Sequence, residues 1–274
     1  MASQFTKLRR TKELILALLK KHGACYGREL EVRLEGKDDI EHWDVYRARR
    51  QLVTDGRIKA VKSHCEAVFF YNPEISPELL NTIVERKCAL IEKLREVSSE
   101  EQGDKSLGRH AETVLLKALK EAGFIIAARD VRWFMGKSYP GKEDLDFLAF
   151  KDGIWYGVEV KNMLDNLKWQ ESGKKDIRTI LEICRILGLV PMLITRYLPR
   201  PYKIKLIGEG ALVITYDKLI VHPDFREIAD KWRRTFGYPV VATSEPWGEL
   251  IKDLLNAHEY AKRKQLWQRW QRGD

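Results

Sequence analysis

The sequence predicts a mixed α/β protein. A mixed sheet carries helices on both faces, with a small helical domain before it and a helical tail after it. Three observations predict this. Two apolar runs lie either side of Lys151-Asp152-Gly153, and Asp-Gly between runs rich in aromatic and branched residues signals a β-hairpin. From Ser106 to Pro223, helical periodicity alternates with short apolar runs of strand length. Before Ser98 the apolar spacing is helical, except for two short strand-like runs.

Composition frames the function. The chain has 274 residues and a net charge of +9, enough for a sizeable core and two domains. A basic balance favours an anionic partner, of which nucleic acid is the commonest for a soluble chain. The scattered Cys25, Cys65, Cys88 and Cys184 lack zinc-finger spacing and any disulfide pattern, so they read as packed thiols. Lys7, Arg9, Arg10 and Lys12 interrupt the early apolar residues, so no signal peptide is expected. No apolar run is long enough to span a bilayer. A cytoplasmic location and no membrane partner are expected.

The first domain is expected over residues 1–75. Thr11 can cap a helix with Leu14, Ile15, Leu18 and Leu19 on one face, closed by His22-Gly23. A short helix follows around Gly27 to Leu34, and a third runs from about Ile40 to Thr54. Ile58 to Val61 and Ala67 to Tyr71 read as two strands. Three helices and a two-stranded wing resemble a winged helix-turn-helix domain. The resemblance implies that the third helix enters the DNA major groove. Val45, Ala48 and Leu52 should face inward, which leaves Trp43, Arg47 and Arg50 outward for DNA contact. A solvated helix with charge pairs such as Asp44 with Arg47 would show the same pattern.

Residues 76–104 read as a connector: a helix opened by Pro77, then a polar, turn-rich stretch to Asp104. The sheet domain follows over residues 105–223. Leu107, Ala111, Val114, Leu115, Ala118 and Leu119 form one apolar arc of a helix, with Glu112 at its margin. Glutamate is seldom buried without a partner, so Glu112 either reaches a metal or pairs with Arg109 one turn back. Gly123 to Ala127 reads as a strand, and Arg129 to Lys142 as a loop of aromatics and cations in which Lys137 is a candidate DNA contact. In the hairpin, alternation sends Gly157, Glu159 and Lys161 one way and Tyr156, Val158 and Val160 the other. One carboxylate from each strand, Asp146 and Glu159, would then meet beside an ammonium. Asp144 is an alternative to Asp146, and a solvated hairpin with one charged face is the plain alternative to a site.

Asp146 with Glu159-Val160-Lys161, together with Gly108-Arg109-His110-Ala111-Glu112 on the preceding helix, resembles the PD-(D/E)XK nuclease superfamily. This is the restriction-endonuclease-like fold of many restriction enzymes and Holliday-junction resolvases. Leu145 departs from the pattern, which often has proline before the aspartate. The resemblance implies a metal-dependent DNA endonuclease. Asp146 and Glu159, with Glu112, would bind Mg2+ (Mn2+ substituting), and Lys161 would position the attacking water. It also implies 5′-phosphate and 3′-hydroxyl products. After Lys161, Lys168 and Gln170 are candidates to line the site.

A helix from Asp176 to Leu187 and strands Val190 to Thr195, Leu212 to Tyr216 and Leu219 to His222 complete the sheet domain. Residues 224–274 read as a basic helical region ending in one long helix, Pro246 to Arg272, whose cations and two tryptophans suit DNA or packing on the body. The expected partner is duplex or branched DNA, with a homodimer serving two-strand cutting. A non-catalytic winged-helix DNA-binding regulator or replication factor with an inactive nuclease-like domain is the alternative.

Overall fold

The computed structural model describes residues 2–37, 39–163 and 173–272. The chain forms two compact units, Met1–Gln102 with Phe225–Val240, and Gly103–Asp224 with Val241–Asp274. The helix Pro77–Ser98 and the stretch Phe225–Val240 thus pack with the first unit, where the sequence had set them apart as connector and tail. Trp232 shows why: fully buried, it donates its indole N–H to Leu90 O at 3.0 Å.

The first unit opens with α1 (Ala2–His22), β1 (Ala24–Tyr26), α2 (Gly27–Leu34) and α3 (His42–Thr54). Helix α1 runs through Thr11, which donates its hydroxyl to Lys7 O at 2.8 Å and so satisfies itself within the helix instead of capping one. β2 (Lys59–Lys62) and β3 (Val68–Tyr71) pair antiparallel, and β1 adds a third strand that alternation over three residues was too short to reveal. Ile15, Leu19, Leu30, Val45, Ala48 and Leu52 form the shared core. α3 starts on a reciprocal cap, in which Glu41 takes the Asp44 N–H and Asp44 the Glu41 N–H. On α4 (Pro77–Ser98), buried Lys87 donates to Glu29 at 2.6 Å and to Ala24 O at 2.6 Å. Removing one partner of such a pair strands a buried charge, which typically costs about 3–5 kcal/mol.

The second unit is a mixed α/β layer. Its elements are α5 (Leu107–Glu121), β4 (Ile125–Val131), β5 (Trp133–Phe134), β6 (Lys137–Ser138), β7 (Leu145–Lys151), β8 (Ile154–Lys161), α6 (Gly173–Leu187), β9 (Val190–Thr195), α7 (Arg200–Gly208), β10 (Leu212–Thr215) and β11 (Leu219–Val221). Among the described residues, five strands form one mixed sheet in the order β10-β9-β8-β7-β4. β4, β7 and β8 are antiparallel, whereas β8, β9 and β10 run parallel. Helices supply Val114, Leu115, Leu119, Ile177, Ile180 and Cys184 to its core. β4 extends past Ala127 through Arg129, and the expected loop after it holds the hairpin β5–β6. The final helix breaks at Gln265, whose φ of 51° is left-handed, into Gly248–Lys264 and Leu266–Arg272. Trp270 is buried there and donates to Gly210 O at 3.2 Å, so this tryptophan packs on the body. Among the described residues, no helix is long and apolar enough to cross a membrane.

Candidate active site

The site forms where two strands part. Asp152 and Gly153, with φ of 46° and 81°, close the β7–β8 hairpin in the left-handed geometry that Asp-Gly favours. The ladder they start ends at Phe147 opposite Val158. One residue further, the Asp146 carboxylate takes over, and its Oδ2 accepts the Val160 N–H at 2.6 Å. Glu159 is buried, and Lys161 Nζ lies 2.6 Å from its Oε1. β9 fixes both from the other side, pairing Leu193 with Glu159 and Thr195 with Lys161. Gly157 lets this layer close: a Cβ there would stand 2.7 Å from Cys184 Sγ and 2.6 Å from Leu145 Cδ1.

α5 brings the third carboxylate. Glu112 Oε2 lies 3.5 Å from Arg109 Nη1 and 3.5 Å from Arg129 Nη2. The glutamate thus makes the Arg109 pairing read from sequence, and its charge also acts on Asp146. Burial raises the Glu112 carboxyl above its ordinary range, Arg109 and Arg129 pull it down, Asp130 pushes it up and Lys161 lowers it. Asp146 is held well above the usual carboxylate range, first by burial, then by the Glu159 and Glu112 charges, against the Val160 N–H and Lys161.

Glu112, Asp146, Glu159 and Lys161 are thus brought within electrostatic reach of one another. Burial first, and then the mutual repulsion of the three carboxylates, gives Asp146 its high proton affinity. A divalent cation would relieve that repulsion. An all-oxygen donor set suits a hard ion such as Mg2+ or Mn2+.

The other sequence candidates scatter. Asp144 is exposed and precedes β7. His110 is buried, with Nε2 at 2.7 Å from Thr243 O and its ring against His222, which makes it a packing residue. Lys137 Nζ comes within 3.5 Å of a Cβ placed on Gly188. That is the opposite end of the sheet, because Val190 pairs with Tyr156, five residues or roughly 16 Å along the strand from Lys161. The hairpin β5–β6 carries Lys137 away from the carboxylates, Phe134 packing against Trp155 with ring centroids 4.9 Å apart and the rings tilted. Lys168 and Gln170 lie outside the described residues.

On the first unit, α3 buries Val45, Ala48 and Leu52 and exposes Trp43, Arg47 and Arg50. Trp43 stacks on Tyr46 at 5.3 Å, and Arg47 and Arg50 lie over these rings at 6.0 and 5.8 Å. Asp44 pairs with Lys7 at 2.7 Å, not with Arg47, so Arg47 keeps its charge outward.

Sequence reading missed Arg129 and Asn162 as parts of the site. Arg129 reads as a loop residue in the sequence because the bulge between Ile126 and Ala128 breaks strand alternation. Asn162 directly follows Lys161. Its amide donates to Leu107 O at 2.9 Å and Ile220 O at 2.7 Å, and its carbonyl accepts from Ile220 N at 3.1 Å. It ties the end of β8 to the start of the helix that carries Glu112. No short-range signal marks such a clamp.

A second cluster lies at the hairpin turn. Asp152, His258 and Glu259 offer ligand atoms within 4.8 Å of one another. Lys262 already bridges the two carboxylates, at 3.3 and 3.6 Å, and the His258 nitrogens face Tyr156 OH at 2.8 Å and Asp152 at 3.0 Å. A cation's place there is taken by the ammonium, and the cluster acts as a latch between the turn and the last long helix.

No protein-family model matches the chain, and no curated protein matches it in sequence.

Proposed function

We propose that the protein is a metal-dependent DNA endonuclease. The gathering of Glu112, Asp146, Glu159 and Lys161 at the strand fork carries this reading: Lys161 Nζ lies 2.6 Å from Glu159 Oε1, and burial, followed by the charges of Glu159 and Glu112, raises Asp146. The order helix, strand, hairpin, helix, strand from Leu107 to Thr195 supports a PD-(D/E)XK core. The helices and three-stranded sheet of the first unit support a winged-helix domain.

Asp146 and Glu159, with Glu112, would hold Mg2+, or Mn2+ in its place. That ion supplies an acidified water and positive charge beside the phosphate. The protein groups do the rest. Asp146 is fixed by the Val160 N–H, so its free oxygen keeps one direction. Lys161, on Glu159, holds an ammonium beside the reacting phosphate, where it orients the attacking water and offsets the charge that develops. Trp43, Arg47 and Arg50 would grip the duplex through phosphates and base edges. A homodimer would present two such sites.

The stacked, outward cations of α3 equally suit a DNA-binding protein that does not cut. The test is cleavage of labelled linear duplex, single strand, flap and four-way junction with Mg2+ or Mn2+, for wild type, Asp146→Ala and Lys161→Ala. Metal-dependent cutting lost in both variants, with binding retained, establishes the nuclease. Tight, salt-sensitive binding without cutting on any substrate leaves the non-catalytic reading.

A further inference from the structure

We propose that Arg109 and Arg129 form a phosphate clamp at the rim of the carboxylate site, held by Glu112 until a nucleic-acid phosphodiester takes them from it. The inference rests on the nuclease reading and names how that site would recognise its substrate.

The two arginines come from different elements, the first turn of α5 and the edge strand β4, yet converge on one oxygen. Each guanidinium lies 3.5 Å from Glu112 Oε2, the outer limit of a hydrogen bond, so both pairs are loose. The arginine side chains are 57% and 49% exposed, while that of Glu112 is 15% exposed. Pairs this open to water exchange partners readily. The Arg129 guanidinium also lies over the Phe147 ring at 5.4 Å, which places it beside the residue that follows Asp146.

A phosphodiester has two non-bridging oxygens, one for each guanidinium. Arginine is the residue whose planar set of donors matches such an anion. A backbone phosphate that takes both arginines removes the two cations from Glu112 and leaves its carboxylate to Asp146, Glu159 and a cation. Substrate binding and assembly of the three-carboxylate site are then one event, in which Glu112 changes partners. The plain alternative is that both pairs merely pin α5 to β4.

The experiment is duplex binding by fluorescence anisotropy, in chelator and over a salt series, with the full chain. The variants are Glu112→Gln, the double Arg109→Gln/Arg129→Gln, and the triple combination, each checked by thermal melting. The clamp predicts that Glu112→Gln tightens metal-free binding several-fold. It predicts that the double variant lowers the slope of log K against log salt by about one, the roughly 0.9 expected for the single phosphate that the two arginines share. It also predicts that Glu112→Gln gives no tightening in the triple variant. A slope unchanged in the double variant, or an equal tightening in the triple variant through loss of negative charge alone, overturns the clamp, as does a wild type that does not bind DNA. Clamp behaviour without metal-dependent cleavage overturns the nuclease reading and keeps the phosphate site. Cleavage with no clamp behaviour does the reverse.

Discussion

The Asp146 carboxylate accepts the Val160 N–H at 2.6 Å, one residue beyond the last ladder pair of its hairpin. The bond replaces the rung that would otherwise follow, so one side chain ends the β7–β8 ladder there while β7 stays paired with β4 and β8 with β9. Asp146→Asn keeps an acceptor for the N–H, whereas Asp146→Ala leaves it unbonded. Alanine should therefore cost about 1–3 kcal/mol in chelator and asparagine much less. Chemical denaturation of both variants measures it, and equal losses would show that the bond does not hold the fork.

Metal should stabilise the folded chain through the same residues. At a hundred times its Kd, Mg2+ should add about 2.7 kcal/mol. Glu159→Gln should remove most of that gain, because it removes a charged ligand from the cluster. Melting curves with and without chelator decide this, and a full Mg2+ response in the variant would place the ion elsewhere.

Gly157 is predicted to resist substitution. Gly157→Ala should cost about 1–3 kcal/mol, since its Cβ would press on Cys184 Sγ and Leu145 Cδ1. Adding Cys184→Ala should return part of the loss. A double-mutant cycle reads the coupling, and strict additivity would mean the two do not touch.

The α3 surface yields a prediction independent of cleavage. Arg47→Ala and Arg50→Ala should each lower the salt slope of duplex binding by about one if they reach phosphates. Folding should be unaffected, because both side chains are exposed. Binding and slope that match wild type in both variants would exclude α3 as the contact.

His22 gives a pH signature. Burial, followed by Arg33, Lys87 and Lys21, lowers its pKa from the ordinary 6.5 to about 4. Below pH 6.5 the unfolded chain binds the proton and the folded chain resists it until about pH 4. Stability should therefore be constant above that window and fall as pH drops through it. The loss should be roughly 1–2 kcal/mol after allowance for solvent screening. His22→Gln should flatten this part of the curve, and an unchanged acid limb would assign the loss to other groups.

The sequence by itself determined the local pieces. Asp-Gly between apolar runs is enough for the β7–β8 hairpin, because the turn geometry needs residues that tolerate positive φ. The spacing of Val45, Ala48 and Leu52 is enough to turn Trp43, Arg47 and Arg50 outward, because a helix repeats every 3.6 residues. Asp146, Glu159 and Lys161 were legible because strand neighbours and a short hairpin fix their separation within one chain segment. Only the tertiary structure decided what lies further apart in sequence. It put Arg129 beside Glu112 through a bulge that hides strand alternation, carried Lys137 to the far end of the sheet, and clamped Asn162 between Leu107 and Ile220. It also buried Trp232 and Trp270, because an amphipathic helix says which face it hides and not what it hides that face against. Contacts closed by long loops leave no periodic trace in the chain, so the rim of the site and its partners emerge only once the sheet and its helices are packed together.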